Sequence, residues 1–209
     1  RVGKREDGGH AIARLALGRF GAESNARLRI TAEWFDHPHP TGRTHDGECD
    51  FAAMKLCRAW YLFQDGDALE AATREGIRRF FLTRDFKSRH GSENHELLFR
   101  TSRYLMAKVF RAETFEAYGK TGARLSTDDV DWLLRFLRYR AAQGWGEFDS
   151  SCYFAPEWEC LISLHDFCGP TEGSSSPASP EDPATDARLG RLAGMMLDLL
   201  LADMAVDSL

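Results

Sequence analysis

Apolar residues recur at steps of three and four through most of this chain, and that spacing predicts α-helices. Short polar turns such as Gln64-Asp65-Gly66-Asp67 separate neighbouring helical segments, which predicts antiparallel helical hairpins. No segment has the strict alternation of apolar and polar residues that is typical of a β-strand. The sequence therefore predicts an all-α protein, a helical-hairpin array that forms part of an α/α toroid.

The length of the chain favours a single helical domain over residues 1–209, since 209 residues can bury a substantial core. The sequence starts at Arg1, without an initiator methionine, and its apolar helical pattern continues towards Leu209. We therefore expect a fragment of a larger α/α toroid. Residues 169–185 are rich in Ser, Pro and Gly, so we expect a flexible loop there.

Charge and composition exclude several classes of protein. The formal charge of -5 is small and the basic residues are spread out, which argues against a nucleic-acid partner. No apolar run reaches the roughly eighteen residues of a membrane-spanning helix, so no such segment is predicted. The five cysteines are odd in number and form no C-x-x-C pair, so they indicate neither a disulfide framework nor a zinc site. The compartment stays open.

A group of histidines and aspartates around two prolines raises the question of a metal site. Its members are Asp36, His37, His39, His45 and Asp46. Their spacing is not a known ligand signature, and a proline-rich loop with scattered histidines is the more common explanation. We therefore expect no metal and no cofactor.

A dense polar cluster precedes an apolar helical stripe at Gly91 to Arg100. Ser92 is a good N-cap, so Glu93, Asn94 and His95 are expected in the first helical turn. The positive end of the helix dipole disfavours a protonated imidazole there, which would leave His95 able to accept a proton. The alternative is that these residues only cap the helix or lie in solvent.

A second informative stretch joins two predicted helices. The first of these helices is expected to start at Ser126-Thr127-Asp128-Asp129, with both aspartates complementing its dipole, and to end at Gly144. Glycines, aromatic residues, acids and hydroxyls then alternate, which is typical of a sugar-binding surface but also of a packed loop. The residues that would contact a sugar are Trp145, Glu147, Asp149 and Tyr153.

Three stretches resemble a family of known proteins. They are Ser92-Glu93-Asn94-His95-Glu96-Leu97-Leu98-Phe99, Gly146-Glu147-Phe148-Asp149-Ser150-Ser151-Cys152-Tyr153-Phe154 with 161–167 after it, and Leu197-Asp198-Leu199-Leu200-Leu201-Ala202-Asp203-Met204-Ala205. They resemble a largely uncharacterised family of bacterial and fungal α/α-toroid proteins related to carbohydrate-active enzymes. The resemblance runs from about Asp50 to Leu209 and implies a polysaccharide or oligosaccharide partner.

The pair Asn94-His95 is also distantly similar to the Asn-His pair of toroidal polysaccharide lyases of the alginate and heparin type. That resemblance implies removal of the proton next to a uronic-acid carboxylate and expulsion of the glycosidic oxygen. Asn94 would hold the carboxylate, His95 would be the base, and Tyr153 would be a second base or acid. Arg100 or Arg103 would add positive charge.

Two other functions are open from the sequence. Glycoside hydrolysis needs two carboxylates on opposite sides of the bond, and Glu93 and Glu147 are the pair that the sequence offers. The catalytic candidates are therefore Asn94, His95, Tyr153 and Glu147, and the substrate-binding candidates are Glu93, Arg100, Arg103, Trp145 and Asp149. The third function is a helical scaffold that binds a glycan or a protein without turning it over.

Overall fold

A computed structural model describes residues 8–37, 41–42, 49–86, 91–146, 154–168 and 183–206. Helices dominate this part of the chain, which confirms the all-α prediction. The helices are α1 Gly8–Ala16, α2 Gly21–Glu33, α3 Asp50–Phe63, α4 Ala71–Thr83, α5 Glu93–Val109, α6 Gly122–Gln143, α7 Phe154–Cys168 and α8 Pro183–Val206. Short 3-10 helices follow at Trp34–Asp36 and Glu116–Tyr118, and the two-residue strands β1 Thr114–Phe115 and β2 Lys120–Thr121 pair in antiparallel fashion.

Helices α5 and α6 form an antiparallel hairpin. Glu93 at the start of α5 makes an ion pair with Arg140 near the end of α6. At the opposite end, Gly122 at the start of α6 lies against the backbone of Ala107 and Phe110. The small β-hairpin between the two helices therefore turns the chain back along α5.

Helices α3, α5 and α7 run in the same direction. Asp50 and His95 pair near the starts of α3 and α5, and Tyr61 Oη donates a hydrogen bond of 2.8 Å to the Leu105 carbonyl near their ends. Lys55 in α3 likewise pairs with Glu159 in α7, 2.7 Å apart. Parallel neighbours place the N-terminal turns of all three helices at one end of the array, which brings their polar first-turn residues together.

The core follows the apolar periodicity of the helices. The buried apolar side chains of the described residues form one cluster that reaches every helix from α1 to α8. Burial of a large apolar side chain contributes about 1.5–3 kcal/mol, so this cluster supplies the main stabilisation. Its largest fully buried apolar members include Met54, Phe81, Phe86, Phe99 and Phe115.

Helix α6 starts earlier than the sequence predicts. Thr121 is its N-cap and accepts a hydrogen bond of 3.4 Å from the Arg124 amide, so the expected start at Ser126 is wrong. The added turn buries Leu125, which explains why the helix extends. The two aspartates therefore do not lie in the first turn of α6, where the sequence predicts them. Asp128 pairs with lysine and arginine side chains, and Asp129 is fully buried.

Other predicted features agree with the structure in part. Helix α8 begins at Pro183, so the last three residues of the predicted loop 169–185 are helical, and residues 169–182 lie outside the described part. Of the histidine group, His39, His45 and Asp46 lie outside it as well, and Asp36 pairs with Arg79 at 3.2 Å. The described residues contain no cluster of three or more potential metal ligands. None of their helices is long and apolar enough to cross a membrane.

Candidate functional site

The central feature of the site is a hydrogen-bonded Asp-His pair. Asp50 is the first residue of α3 and His95 is the third residue of α5, and Asp50 Oδ2 lies in short contact with His95 Nδ1. The Asp50 side chain is 2% exposed, whereas the His95 side chain keeps 24% of its surface exposed. A buried carboxylate therefore holds one nitrogen of an imidazole whose ring remains partly accessible.

This geometry determines what the imidazole can do. A carboxylate only accepts hydrogen bonds, so Nδ1 carries the hydrogen and donates it to Asp50. The neutral ring then has its lone pair on Nε2, and a positive charge that develops on the ring is stabilised by the adjacent carboxylate. The pair has the arrangement that a general base requires.

Asn94 shapes the turn that carries His95. Its Oδ1 atom accepts a hydrogen bond of 2.7 Å from the His95 amide and one of 2.6 Å from Ser92 Oγ. Ser92 occupies the N-cap position as predicted, but its side chain makes no capping hydrogen bond and binds Asn94 instead. Asn94 is fully buried, and its Nδ2 atom has no hydrogen-bond partner among the described residues.

Glu93 connects the start of α5 to the end of α6. Its Oε1 atom lies 2.5 Å from Arg140 Nε, and its Oε2 atom accepts a hydrogen bond of 2.8 Å from the Gly146 amide. A Cβ atom on Gly146 would lie 2.7 Å from Glu93 Oε2, so a larger residue there requires the Glu93 carboxylate to shift. Both carboxylate oxygens are thus engaged, and the Glu93 side chain is 7% exposed.

The structure brings together the described parts of the two predicted site stretches. The Gly146 amide, in the second stretch, donates a hydrogen bond to Glu93 in the first. Trp145 is buried, with 7% of its surface exposed, and its ring packs edge-on against Phe136. The predicted site residues Glu147, Asp149 and Tyr153 lie outside the described residues.

Arg100 and Arg103 lie on the side of α5 that faces α6, whereas His95 faces α3. Arg103 Nε and Nη2 lie 2.7 and 2.5 Å from the two carboxylate oxygens of Asp129, and Arg100 Nη1 lies 3.0 Å from Asp129 Oδ1. Burial alone would lower the pKa of Arg103, but the hydrogen bonds and charge of Asp129 outweigh it and raise that pKa. The structure therefore places neither guanidinium beside the imidazole.

Sequence reasoning missed Asp50. An acidic residue in the first turn of a helix is ordinary dipole complementation, so nothing around Asp50 marks it as a partner of a histidine. The pair is 45 residues apart in the chain and forms because α3 and α5 run in the same direction. Only the fold indicates this pair, because the packing of neighbouring hairpins brings the starts of α3 and α5 together.

Comparisons with known proteins assign no class to this protein, so its fold and site define the class. No protein-family model matches the chain, and no curated protein and no solved structure matches it either. The described residues define an all-α protein of packed helical hairpins with an Asp-His pair where the starts of two parallel helices meet.

Proposed function

We propose that this chain is a carbohydrate-active protein of the α/α-toroid kind, a polysaccharide lyase that cleaves uronic-acid-containing glycans with His95 as its base. The observation that carries the proposal is the Asp50-His95 pair. A partly exposed imidazole whose other nitrogen is bound to a buried carboxylate is equipped to remove a proton from a carbon acid. The parallel order of α3, α5 and α7 supports a toroid, in which such helices line one layer.

The reaction follows from the chemistry of a uronic acid. His95 Nε2 takes the proton from the ring carbon next to the carboxylate, and the electron pair of that C–H bond forms a carbon–carbon double bond. The glycosidic oxygen leaves with the electrons of its bond to the adjacent ring carbon and takes up a proton from water, and the His95 imidazolium returns its proton to the solvent. Asp50 stabilises the imidazolium that forms during the first step.

Asn94 contributes first through the backbone. Its Oδ1 atom holds the amide of His95, so it positions the turn that carries the base. Its Nδ2 atom is a donor without a partner among the described residues, but the side chain is fully buried, so the further role of holding a substrate carboxylate stays a prediction from the sequence. Asn94→Asp separates the two roles, because it keeps the acceptor at Oδ1 and removes the donor.

The contacts of the Glu93 carboxylate favour elimination over hydrolysis. A hydrolase would use Glu93 as an acid, base or nucleophile towards the sugar. Both of its oxygens are instead bound, one by Arg140 and one by the Gly146 amide. Glu93 therefore has a positioning role in this proposal, and a role for Glu147 as the second carboxylate stays a prediction from the sequence.

The test is a screen of uronic-acid polymers, such as alginate and heparin, read in two ways. Elimination creates an unsaturated sugar that absorbs in the ultraviolet, and we expect this absorbance to grow with time. New reducing ends without the absorbance would identify a hydrolase and refute the elimination. Binding without either product would identify a non-catalytic scaffold.

The His95→Ala variant tests the assignment of the base. We expect a loss of turnover by about 10²–10⁴-fold and a loss of about 1–3 kcal/mol in the free energy of unfolding, since the buried Asp50 carboxylate loses its hydrogen-bond donor. His10→Ala is the matched control because His10 is an exposed histidine on α1. Full activity in the His95 variant would rule out the base.

A further inference from the structure

We propose that Phe51 is the aromatic platform on which a sugar ring of the substrate packs beside His95. This inference rests on the proposed function and names a substrate-binding residue for it. Phe51 follows Asp50 in the first turn of α3 and is 38% exposed. Trp145, which the sequence suggests for contact with a sugar, is buried.

The position of Phe51 relative to the imidazole is the main evidence. The centroids of the Phe51 and His95 rings are 5.8 Å apart and their planes are nearly perpendicular, at 87°. The imidazole is therefore held by Asp50 at Nδ1 and by the Phe51 ring at its side. Aromatic faces pack on the apolar faces of pyranose rings, so a sugar on the exposed part of Phe51 lies next to the base.

Exposure alone does not distinguish Phe51, since single exposed apolar residues are common on protein surfaces. Phe20 is 60% exposed and lies before α2, under the guanidinium of Arg14 at 5.1 Å. Phe51 differs because it contacts the one imidazole that has a buried carboxylate partner among the described residues. Phe20 is therefore the matched control for Phe51.

The experiment measures binding separately from turnover. Oligosaccharides prepared from alginate and from heparin are titrated into the His95→Gln protein by calorimetry, so that bound ligand is not consumed. Adding Phe51→Ala is expected to raise Kd about tenfold, whereas adding Phe51→Tyr changes Kd by less than about threefold. Phe51→Leu keeps apolar volume without an aromatic face and is expected to resemble Phe51→Ala. Adding Phe20→Ala leaves Kd unchanged.

The outcomes separate this inference from the proposed function. Unchanged Kd in Phe51→Ala, with an unchanged unfolding midpoint, overturns the platform and leaves the lyase proposal intact. An equal increase in Kd in Phe51→Ala and Phe20→Ala also overturns the platform, since the effect would then not be specific to the ring beside His95. If neither oligosaccharide binds the His95→Gln protein or the wild type, the platform and the proposed function fall together.

Discussion

Lys108 and Asp186 form an ion pair inside the protein. Lys108 Nζ, in the last turn of α5, lies 2.9 and 2.6 Å from the two carboxylate oxygens of Asp186, in the first turn of α8. The Lys108 side chain has no exposed surface, and Tyr104 Oη donates a further hydrogen bond of 2.6 Å to Asp186. The pair fixes α8 to α5 across the end of the array opposite to the Asp-His site.

Lys108→Met is expected to destabilise the protein by about 3–5 kcal/mol, because it leaves the buried charge of Asp186 without a counterion. Adding Asp186→Asn removes that charge and keeps an oxygen that can accept from Tyr104, so the double variant should recover much of the loss. Urea unfolding midpoints at neutral pH measure both effects. Additive losses in the double variant would show that the two charges do not depend on each other.

The approach of α6 to α5 predicts a contrast between two glycines. A Cβ atom on Gly122 would overlap the backbone oxygens of Ala107 and Phe110, whereas one on Gly76 in α4 would meet nothing within 4 Å. Gly122→Ala should therefore destabilise by about 1–3 kcal/mol. Gly76→Ala should stabilise by about 0.5–1 kcal/mol, since alanine loses less backbone entropy in a helix. Equal unfolding free energies for the two variants would contradict this packing.

Two tyrosines predict loss of stability at alkaline pH. Burial raises the pKa of Tyr104, and the charges of Cys168 and Asp186 add to this effect. Burial likewise raises the pKa of Tyr118 against an opposing effect of Arg103. The folded protein therefore keeps phenol protons that the unfolded chain releases, so the contribution of these two tyrosines to stability is fully present below about pH 10 and is lost as the pH rises above it.

The measurement is urea unfolding at intervals from about pH 8 to pH 11, with Tyr104→Phe beside the wild type. Tyr104→Phe loses its hydrogen bond to Asp186 and is expected to be less stable at neutral pH. Its stability should nevertheless decline less steeply with pH, because one of the retained protons is gone. If the stability of the two proteins declined in parallel with pH, Tyr104 would not contribute to the loss of stability at alkaline pH.

Local signals in the sequence predicted a helix boundary well where a capping residue and an apolar stripe occurred together. Ser92 followed by an apolar stripe predicted the start of α5, and Gly144 with a φ of 76° ends α6 as expected. The start of α6 was wrong because Thr121 is also a good N-cap and the sequence does not show that Leu125 is buried. Boundaries thus depend on packing that no local pattern contains.

The partners of the site residues could not be predicted because they lie far away in the sequence. His95 was predicted from its own turn, but its partner Asp50 comes from another hairpin, 45 residues away. Arg103 had the charge expected of a substrate-binding residue, yet Asp129, 26 residues away, binds it in the interior. Which side of a helix faces which neighbour is decided by the order of the hairpins, and the sequence pattern gives only the apolar stripe.

The Asp50-His95 pair predicts the tautomer of the imidazole. In the wild type, Nδ1 carries the hydrogen because the carboxylate can only accept. Asp50→Asn can instead donate to Nδ1, which moves the hydrogen to Nε2 and removes the basic lone pair. Two-bond nitrogen–proton correlations of the neutral ring in NMR spectra are expected to report this change, and turnover in the proposed lyase reaction is expected to fall by about 10²–10⁴-fold.

Asp166→Asn is the matched control for this prediction. Asp166 lies 3.6 Å from an arginine nitrogen on α3 and is 40% exposed, so its loss removes a carboxylate of similar size without touching the imidazole. It should leave both the tautomer and the turnover unchanged. If Asp50→Asn changes the tautomer but not the turnover, His95 is not the base. An unchanged tautomer would mean that Asp50 does not orient the ring, and the proposed chemistry would lose the residue that makes His95 basic at Nε2.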